Sequence, residues 1–96
     1  MVKKAVHLFD SSASVILFGS RARGDAKDES DWDFLILTKK KDTDLLMRSL
    51  IPVIRERIEL VYAIAISLII KNKMVWKENY AVTNIYGSIM KDGINL

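Results

Sequence analysis

The chain contains no cysteine and a single proline among its 96 residues. The lack of cysteine excludes disulfide bonds and thiolate metal sites, and it is compatible with a reducing cytosol. Long hydrophobic runs are also missing, because the longest apolar stretch, residues 60–70, is too short to span a bilayer. No secretory signal follows Met1. These absences predict a soluble, cytoplasmic protein with no membrane association.

Neither positive nor negative charge dominates the sequence. Fifteen Lys and Arg residues face twelve Asp and Glu residues, which leaves a formal net charge of +3. The densest basic run, Lys39 to Lys41, is typical of a solvated loop, whereas nucleic-acid binders spread Lys and Arg over a whole face. A hydrophobic fraction of 50% predicts one folded domain over residues 1–96. A core of this size is marginally stabilising, so binding to a partner or homodimer formation would help it.

Hydrophobic periodicity predicts the order of the elements. It predicts, in chain order, a helix, two short apolar strands, a longer helix, a third apolar strand and two short helices. Their ranges are 2–9, 15–18, 31–37, 45–61, 63–70, 74–80 and 84–90, with a C-cap at 91–93. Pro52 lies inside the longer helical pattern and predicts a kink or break there. The order predicts an α/β (α+β) fold, a small mixed sheet with helices packed on one face.

The chemistry-bearing residues stand at the ends of the first two strands. Gly19 ends the first strand and lets the backbone approach a ligand closely, because it has no Cβ. Ser20 is predicted to be the N-cap of a short helix, which favours phosphate oxygens. Asp31 and Asp33 are two positions apart on the second strand and therefore project from the same face. Carboxylates at that spacing suit Mg²⁺, which takes one or two of them together with substrate phosphates.

Each half of this pattern has a plain structural alternative. A Gly-Ser after a strand is usually a turn, and an Asp-x-Asp is usually a solvated strand edge. Two like charges beside Trp32 and Phe34 are costly, however, unless something cationic compensates them. The two halves together, in this order and spacing, indicate a nucleotide and metal site at Gly19, Asp31 and Asp33.

The segment Gly19-Ser20, ten residues, then Asp31-x-Asp33 resembles the signature of the DNA polymerase β-like nucleotidyltransferase superfamily, in particular its minimal nucleotidyltransferases. The Arg-Ala-Arg-Gly-Asp that follows Ser20 is also similar to that family. The likeness is strong over about the first 40 residues and looser afterwards. It implies the nucleotidyltransferase fold, with a triphosphate on Gly19 and Ser20. It also implies Mg²⁺ or Mn²⁺ on Asp31 and Asp33, which are then the catalytic pair.

Other residues have weaker claims to a function. Arg21 and Arg23 are candidate nucleotide contacts through phosphate, and the alternative is that both are solvated charges on a short helix. His7 is more often structural than catalytic at such a place, and Trp32 is expected to face the core, away from the aspartates. Trp76 and Tyr80, four apart on a helix, favour core packing over base stacking.

One position departs from the family pattern. Active members usually carry a third carboxylate on the next core strand, where it completes the metal site. Here the small face of that strand is Ala63, Ala65 and Ser67, so Ser67 is the expected position of the missing acid. Glu59 is the nearest acid but lies on the preceding helix. Catalysis therefore depends on whether two carboxylates are sufficient.

The resemblance implies an enzyme that moves a nucleoside monophosphate, AMP from ATP being the expected case, to an acceptor. Minimal nucleotidyltransferases commonly pair with a helical HEPN-domain protein in toxin–antitoxin modules. This chain would then be the antitoxin, and a hydroxyl of its partner would be the acceptor. The alternative is a catalytically degenerate nucleotide- and metal-binding module that acts by protein contact. Transfer directed to nucleic acid is disfavoured by the modest charge.

Overall fold

The structure, a computed structural model, describes residues 1–79 and 83–96. A small mixed sheet lies at its centre, as the sequence predicts, and it has four strands. The strands are β1 Ser14–Phe18, β2 Trp32–Thr38, β3 Ile66–Asn72 and β4 Ile94–Asn95, in the order β3-β2-β1-β4 across the sheet. The helices are α1 Val2–His7, α2 Ser20–Arg23, α3 Thr43–Ile54, α4 Leu60–Tyr62, α5 Lys73–Asn79 and α6 Asn84–Asp92, with a π-helical segment Arg55–Glu59 between α3 and α4.

The pairing of β2 with both of its neighbours sets the register of the sheet. β1 runs antiparallel to β2, with Phe18 opposite Asp33, and β3 runs parallel to β2, with Ser67 in register with Asp33. Because side chains alternate along a strand, Asp33 and Ser67 point to one face of the sheet. The start of β2, the start of β3 and the end of β1 therefore lie at one end of the sheet.

Helices cover both faces of the sheet, which corrects the expectation of packing on one face. The larger core joins α1 and α3 to the face formed by Val15, Phe34 and Ile36. On the opposite face, Leu35 packs with Trp76 of α5 and Ile89 of α6. The continuous apolar runs of the central strands are the physical reason, since a strand buried on both faces has no polar face to expose.

The long helix passes through Pro52 instead of breaking there. Its first turn is capped by Asp42, whose Oδ1 accepts from the Leu45 amide at 2.9 Å. Pro52 stands on the exposed side, so the carbonyl that loses its partner can bond water. The helix then widens into the π-helical segment and ends at Ala63, a non-glycine residue with φ of 53°.

The predicted third strand starts later than the pattern indicated. Ala63 caps α4 and β3 begins only at Ile66. Near the C-terminus, Gly93 caps α6 as expected, and its amide donates to the Ile89 carbonyl at 2.7 Å. The following residues pair with β1 as β4, a strand too short to be predicted from periodicity.

The far end of the sheet is closed by a buried carboxylate. Asp10 is 9% exposed and accepts hydrogen bonds from the Thr38 hydroxyl and from the amide and hydroxyl of Ser12, the latter two at 3.1 and 2.7 Å. Burial by itself would raise the pKa of Asp10, but these hydrogen bonds and the charge of Lys40 together lower it. Asp10 thus ties the α1–β1 connection to the end of β2.

Within the described part of the chain, each helix is too short or too polar to cross a bilayer.

Candidate active site

The candidate site is built where β1 turns into α2, against the first residues of β2. Gly19 joins β1 to α2 with φ of 75° and ψ of −158°, a conformation that is essentially restricted to glycine. The residue is the N-cap of α2 and Ser20 is the first helical residue, so the helix begins one position earlier than the sequence predicts. The turn therefore needs glycine for its backbone alone.

A close approach to Asp33 gives a second, independent reason for glycine. A Cβ built on Gly19 would lie 2.5 Å from Asp33 Oδ2 and 3.4 Å from its Cγ. The Asp33 carboxylate is thus held directly against the bare backbone of the turn. The structure brings together Gly19 and Asp33, which are 14 positions apart in the sequence.

The two aspartates share a face but differ in environment. Asp31 is exposed just before β2, and Asp33 is half-buried on the strand. Burial raises the pKa of Asp33, the nearby negative charge of Asp31 raises it further, and the positive charge of Arg23 partly opposes both. The negative charge of Asp33 is therefore only partly compensated by the protein.

α2 presents its first turn at the same place. The first amides of a helix have no partner within the helix, so those of Ser20 and Arg21 are available to an anion at this turn. Gly19, the N-cap, has no side chain that could occupy them. The Gly19 carbonyl accepts from the amides of Ala22 and Arg23, each at 3.1 Å, which fixes the turn.

Arg21 points away from the aspartates and organises the loop before β2. Its guanidinium donates to the Ser30 carbonyl at 2.9 and 3.3 Å and to the Asp28 carbonyl at 3.1 Å. The same guanidinium lies over the Trp32 ring, 4.7 Å from the ring centroid. The sequence does not predict these loop contacts, because no local signal pairs an arginine with carbonyls seven and nine residues away.

Arg23 is the cation of α2 that acts on the site. It forms an exposed ion pair with Asp25, in which Nε lies 3.2 Å from Oδ2. Its charge is the one that lowers the pKa of Asp33. Because an exposed pair is weak, Arg23 can exchange Asp25 for another anion at little cost.

Ser67 lies where the sequence analysis expected it, beside the aspartates. Its hydroxyl donates to Asp31 Oδ2 at 3.4 Å, and its Cα is paired with that of Asp33. Among the described residues, no group of three or more Asp, Glu, His or Cys side chains is close enough to hold a metal ion. The group that meets Asp31 from β3 is thus a neutral hydroxyl.

Glu59 has a different task. Its Oε2 accepts from the Ile66 amide at 3.0 Å, so the side chain caps the first residue of β3. Ile66 faces the α3 side of the sheet, where Glu59 borders an apolar groove. Ser67, the next residue, points to the opposite face. Glu59 therefore positions the strand that carries Ser67.

The remaining candidates contribute to packing. His7 Nε2 lies 3.0 Å from the Ala13 carbonyl, and Trp32 packs against the larger core, both structural roles that the sequence predicts. Trp76 is 5% exposed and meets the ring of Tyr86 edge to face at 4.1 Å between centroids. Tyr80, the other half of the predicted aromatic pair, lies outside the described residues.

The donor set fits a divalent cation. Asp31 and Asp33 supply hard oxygen ligands on one face, and the partly compensated charge of Asp33 is the kind that a bound cation neutralises. The glycine turn leaves open the space beside Asp33 that a side chain would fill. Asp31 and Asp33 would hold the ion, and water or substrate oxygens would supply its other ligands.

The chain is similar to known proteins over most of its length. Residues 1–94 match the family model of the nucleotidyltransferase domain. A candidate protein adenylyltransferase of Methanocaldococcus jannaschii is 46% identical over 81 residues, an alignment that covers 78% of this chain and 81% of the relative. Nucleotidyltransferase domains act on nucleoside triphosphates and generally use divalent metal ions.

Proposed function

Since the chain belongs to the nucleotidyltransferase domain family, we propose that it transfers AMP from ATP to a hydroxyl group of a partner protein. The nucleotide would bind at Gly19 and Ser20, and Mg²⁺ or Mn²⁺ at Asp31 and Asp33. Arg23, and Arg21 if it leaves the loop, would contact phosphate. The reaction would take place in the cytoplasm.

The observation that carries this proposal is the contact between the Gly19 backbone and the Asp33 carboxylate. A glycine that is required by its φ and by the lack of space for a Cβ places an anion-binding turn directly against a carboxylate. A phosphate bound at the turn would be repelled by the Asp33 carboxylate unless a cation lay between them. A metal–triphosphate complex has the right charge at both ends.

The transfer itself needs positioning more than covalent chemistry. The acceptor oxygen bonds to the α-phosphorus, the bond from that phosphorus to pyrophosphate breaks, and the hydroxyl proton is released to water. When bound, the metal ion neutralises charge that develops on the phosphate oxygens. The turn at Gly19 and the charge of Arg23 hold the triphosphate in place for this step.

A protein acceptor is supported by the relative, whose name describes adenylyl transfer to protein. We propose a helical HEPN-type protein as the acceptor and an antitoxin role for this chain, on the resemblance to minimal nucleotidyltransferases. The exposed apolar residues of α4, Leu60, Val61 and Tyr62, are a surface suited to protein contact. AMP on a tyrosine, serine or threonine of that partner would then inactivate it.

The second candidate function is a binding module that has lost catalysis. The observation that favours it is Ser67, a neutral hydroxyl in register with Asp33, at the place where active relatives carry an acid. Such a module would bind the partner and nucleotide without transfer.

To test the proposal, the chain and the protein encoded by the neighbouring gene are incubated with Mg²⁺ and ATP labelled on the α-phosphate. A parallel reaction uses ATP labelled on the γ-phosphate. We expect the neighbour to take up the α-label only, because pyrophosphate leaves with the γ-phosphate. Uptake of the γ-label would identify a kinase instead.

Ser67→Asp refines the test. It should raise the transfer rate if a third carboxylate is the missing element, and Ser67→Ala should not. Co-purification of the two proteins with no label in either would support the binding module and contradict the transferase.

A further inference from the structure

β3 is an edge strand with an open side. Among the residues that the structure describes, it pairs with β2 only. The Trp32 amide donates to the Ala65 carbonyl at 2.9 Å, and backbone groups alternate in direction along a strand. Ser67, Ile69 and Lys71 therefore direct their backbone groups at β2, and the residues between them direct theirs outward.

In residues 1–79 and 83–96, only the first outward position of this edge has a hydrogen-bond partner. The Ile66 amide is bound by Glu59. Within the described chain, the outward amides of Leu68 and Ile70 make no hydrogen bond. A groove of about 330 Å³ runs beside the edge, lined by Leu68, Ile54 and the half-exposed Ile51 among others. An open apolar edge of this kind is a template for a further strand.

The edge is complementary to itself. When a second copy is placed antiparallel about a two-fold axis at Ile69, Leu68 lies opposite Ile70 of the second copy, and each such pair exchanges both N–H···O bonds. Ile69 then faces Ile69 of the second copy in a non-hydrogen-bonded pair. Ile66 lies opposite Asn72 of the second copy, and because its amide is already bound by Glu59, the shared hydrogen bonds are confined to the two Leu68–Ile70 pairs.

The same register delivers a cation to the candidate site. Ser67 lies opposite Lys71 of the second copy on the same sheet face, with Cβ atoms about 5 Å apart. The Ser67 hydroxyl is 3.4 Å from Asp31 Oδ2, so the lysine ammonium reaches Asp31. A strand from an unrelated protein would satisfy the edge amides but would have no reason to carry a cation at this position.

We propose that a second copy of this chain pairs with β3 about Ile69 and that its Lys71 enters the site beside Asp31. The proposal rests on the proposed function only because that function assigns Asp31 to the metal site. Each site of the dimer would then contain a cation that one chain does not supply, close to the oxygens of a bound triphosphate.

The lack of cysteine makes a direct test clean. In this register the Cα atoms of Ile69 and its copy are about 4.5 Å apart, within disulfide range. The Ile69→Cys chain should cross-link to itself under mild oxidation, and the Ser67→Cys chain should not. Sedimentation of the unmodified chain should show a dimer at high micromolar concentration. A monomer at that concentration, or cross-linking of Ser67→Cys alone, would overturn the proposal.

Exchanging the charges of Lys71 and Asp31 tests the role of Lys71 by measuring the dimer, without measuring transfer. Lys71→Asp should weaken the dimer about tenfold or more, because it places a second negative charge beside Asp31 of the other copy. Asp31→Lys in the same chain should restore it. The matched control is Lys77→Asp, which makes the same change on α5 near Ser14 and Asn95 and should leave the dimer unaltered. A dimer indifferent to both Lys71→Asp and its reversal would contradict the placement of Lys71. Because neither test measures transfer, a failed transferase assay would leave their results intact.

Discussion

The two ends of β2 each hold an aspartate that the fold partly removes from water, and they hold it in opposite ways. At the far end, Asp10 accepts three hydrogen bonds and its pKa is lowered. At the near end, Asp33 lies against the Gly19 backbone and beside Asp31, and its pKa is raised. One carboxylate is satisfied within the protein and stabilises it. The other is left in need of a cation, which marks a place for a ligand.

The largest expected difference between the two ends is in transfer rate. Asp33→Asn keeps the shape of the side chain but removes the charge that would hold a metal ion, so transfer should fall at least about a hundredfold. Asp25→Asn is the matched control, because it makes the same change on an exposed neighbour of Arg23. Labelling of the partner with α-labelled ATP measures both. Equal rates in the two variants would remove Asp33 from the site.

The next effect belongs to the other end and concerns stability. Asp10→Ala leaves the buried Thr38 hydroxyl and the Ser12 amide without their acceptor, and the free energy of unfolding should drop by about 2–3 kcal/mol. Urea unfolding followed by circular dichroism measures this. Transfer per folded molecule should be unchanged. If Asp10→Ala impaired transfer as strongly as Asp33→Asn, then Asp10 would not act through stability alone, and the two ends would not differ in the way described.

A pair of glycine variants sharpens the comparison at the site. Gly19→Ala and Gly24→Ala both put a side chain at positive φ, 75° and 82°. Gly24→Ala should cost about 1–2 kcal/mol of stability, and Gly19→Ala should cost more, because its backbone conformation is essentially restricted to glycine. Only the Cβ at Gly19 meets Asp33, since nothing lies within 4 Å of one at Gly24. Thermal shift with Mg²⁺ and ATP should therefore be lost in Gly19→Ala and kept in Gly24→Ala. Equal shifts in both would mean that the turn does not contact the nucleotide.

The smallest effect is the pH dependence of stability, which should have opposite signs at the two ends. The lowered pKa of Asp10 gives stability that is present above the ordinary pKa of about 3.9 and is lost as pH falls through the folded value. The raised pKa of Asp33 gives stability that is present below that ordinary pKa and is lost as pH rises through the folded value.

Denaturant unfolding between about pH 3 and pH 8 would separate them. Relative to the parent chain, Asp10→Asn should be less stable at neutral pH, and Asp33→Asn equally or more stable. Both differences should shrink in acid. A loss of stability in Asp33→Asn at neutral pH would show that its charge is already compensated within the protein.

Much of the site could be predicted because it depends on local pattern. Alternation along β2 placed Asp31 and Asp33 on the face opposite Trp32, and alternation along β3 placed Ser67 on the site face. The parallel pairing of β2 with β3 then brought Ser67 and Asp31 within 3.4 Å of each other. The roles of Gly19, Ser20, Arg23 and the metal ion stay predictions that the experiments above address.

What the sequence determined by itself was the order of the elements as far as α6, the face on which each residue of the first three strands lies and the need for glycine before α2. These follow from the periods of strand and helix and from the absence of a Cβ, which are properties of short segments. The tertiary structure alone decided that helices cover both faces, that Arg21 binds the Ser30 carbonyl and not the site, and that Glu59 caps β3. Those outcomes depend on which distant segments meet, and no local period encodes that choice.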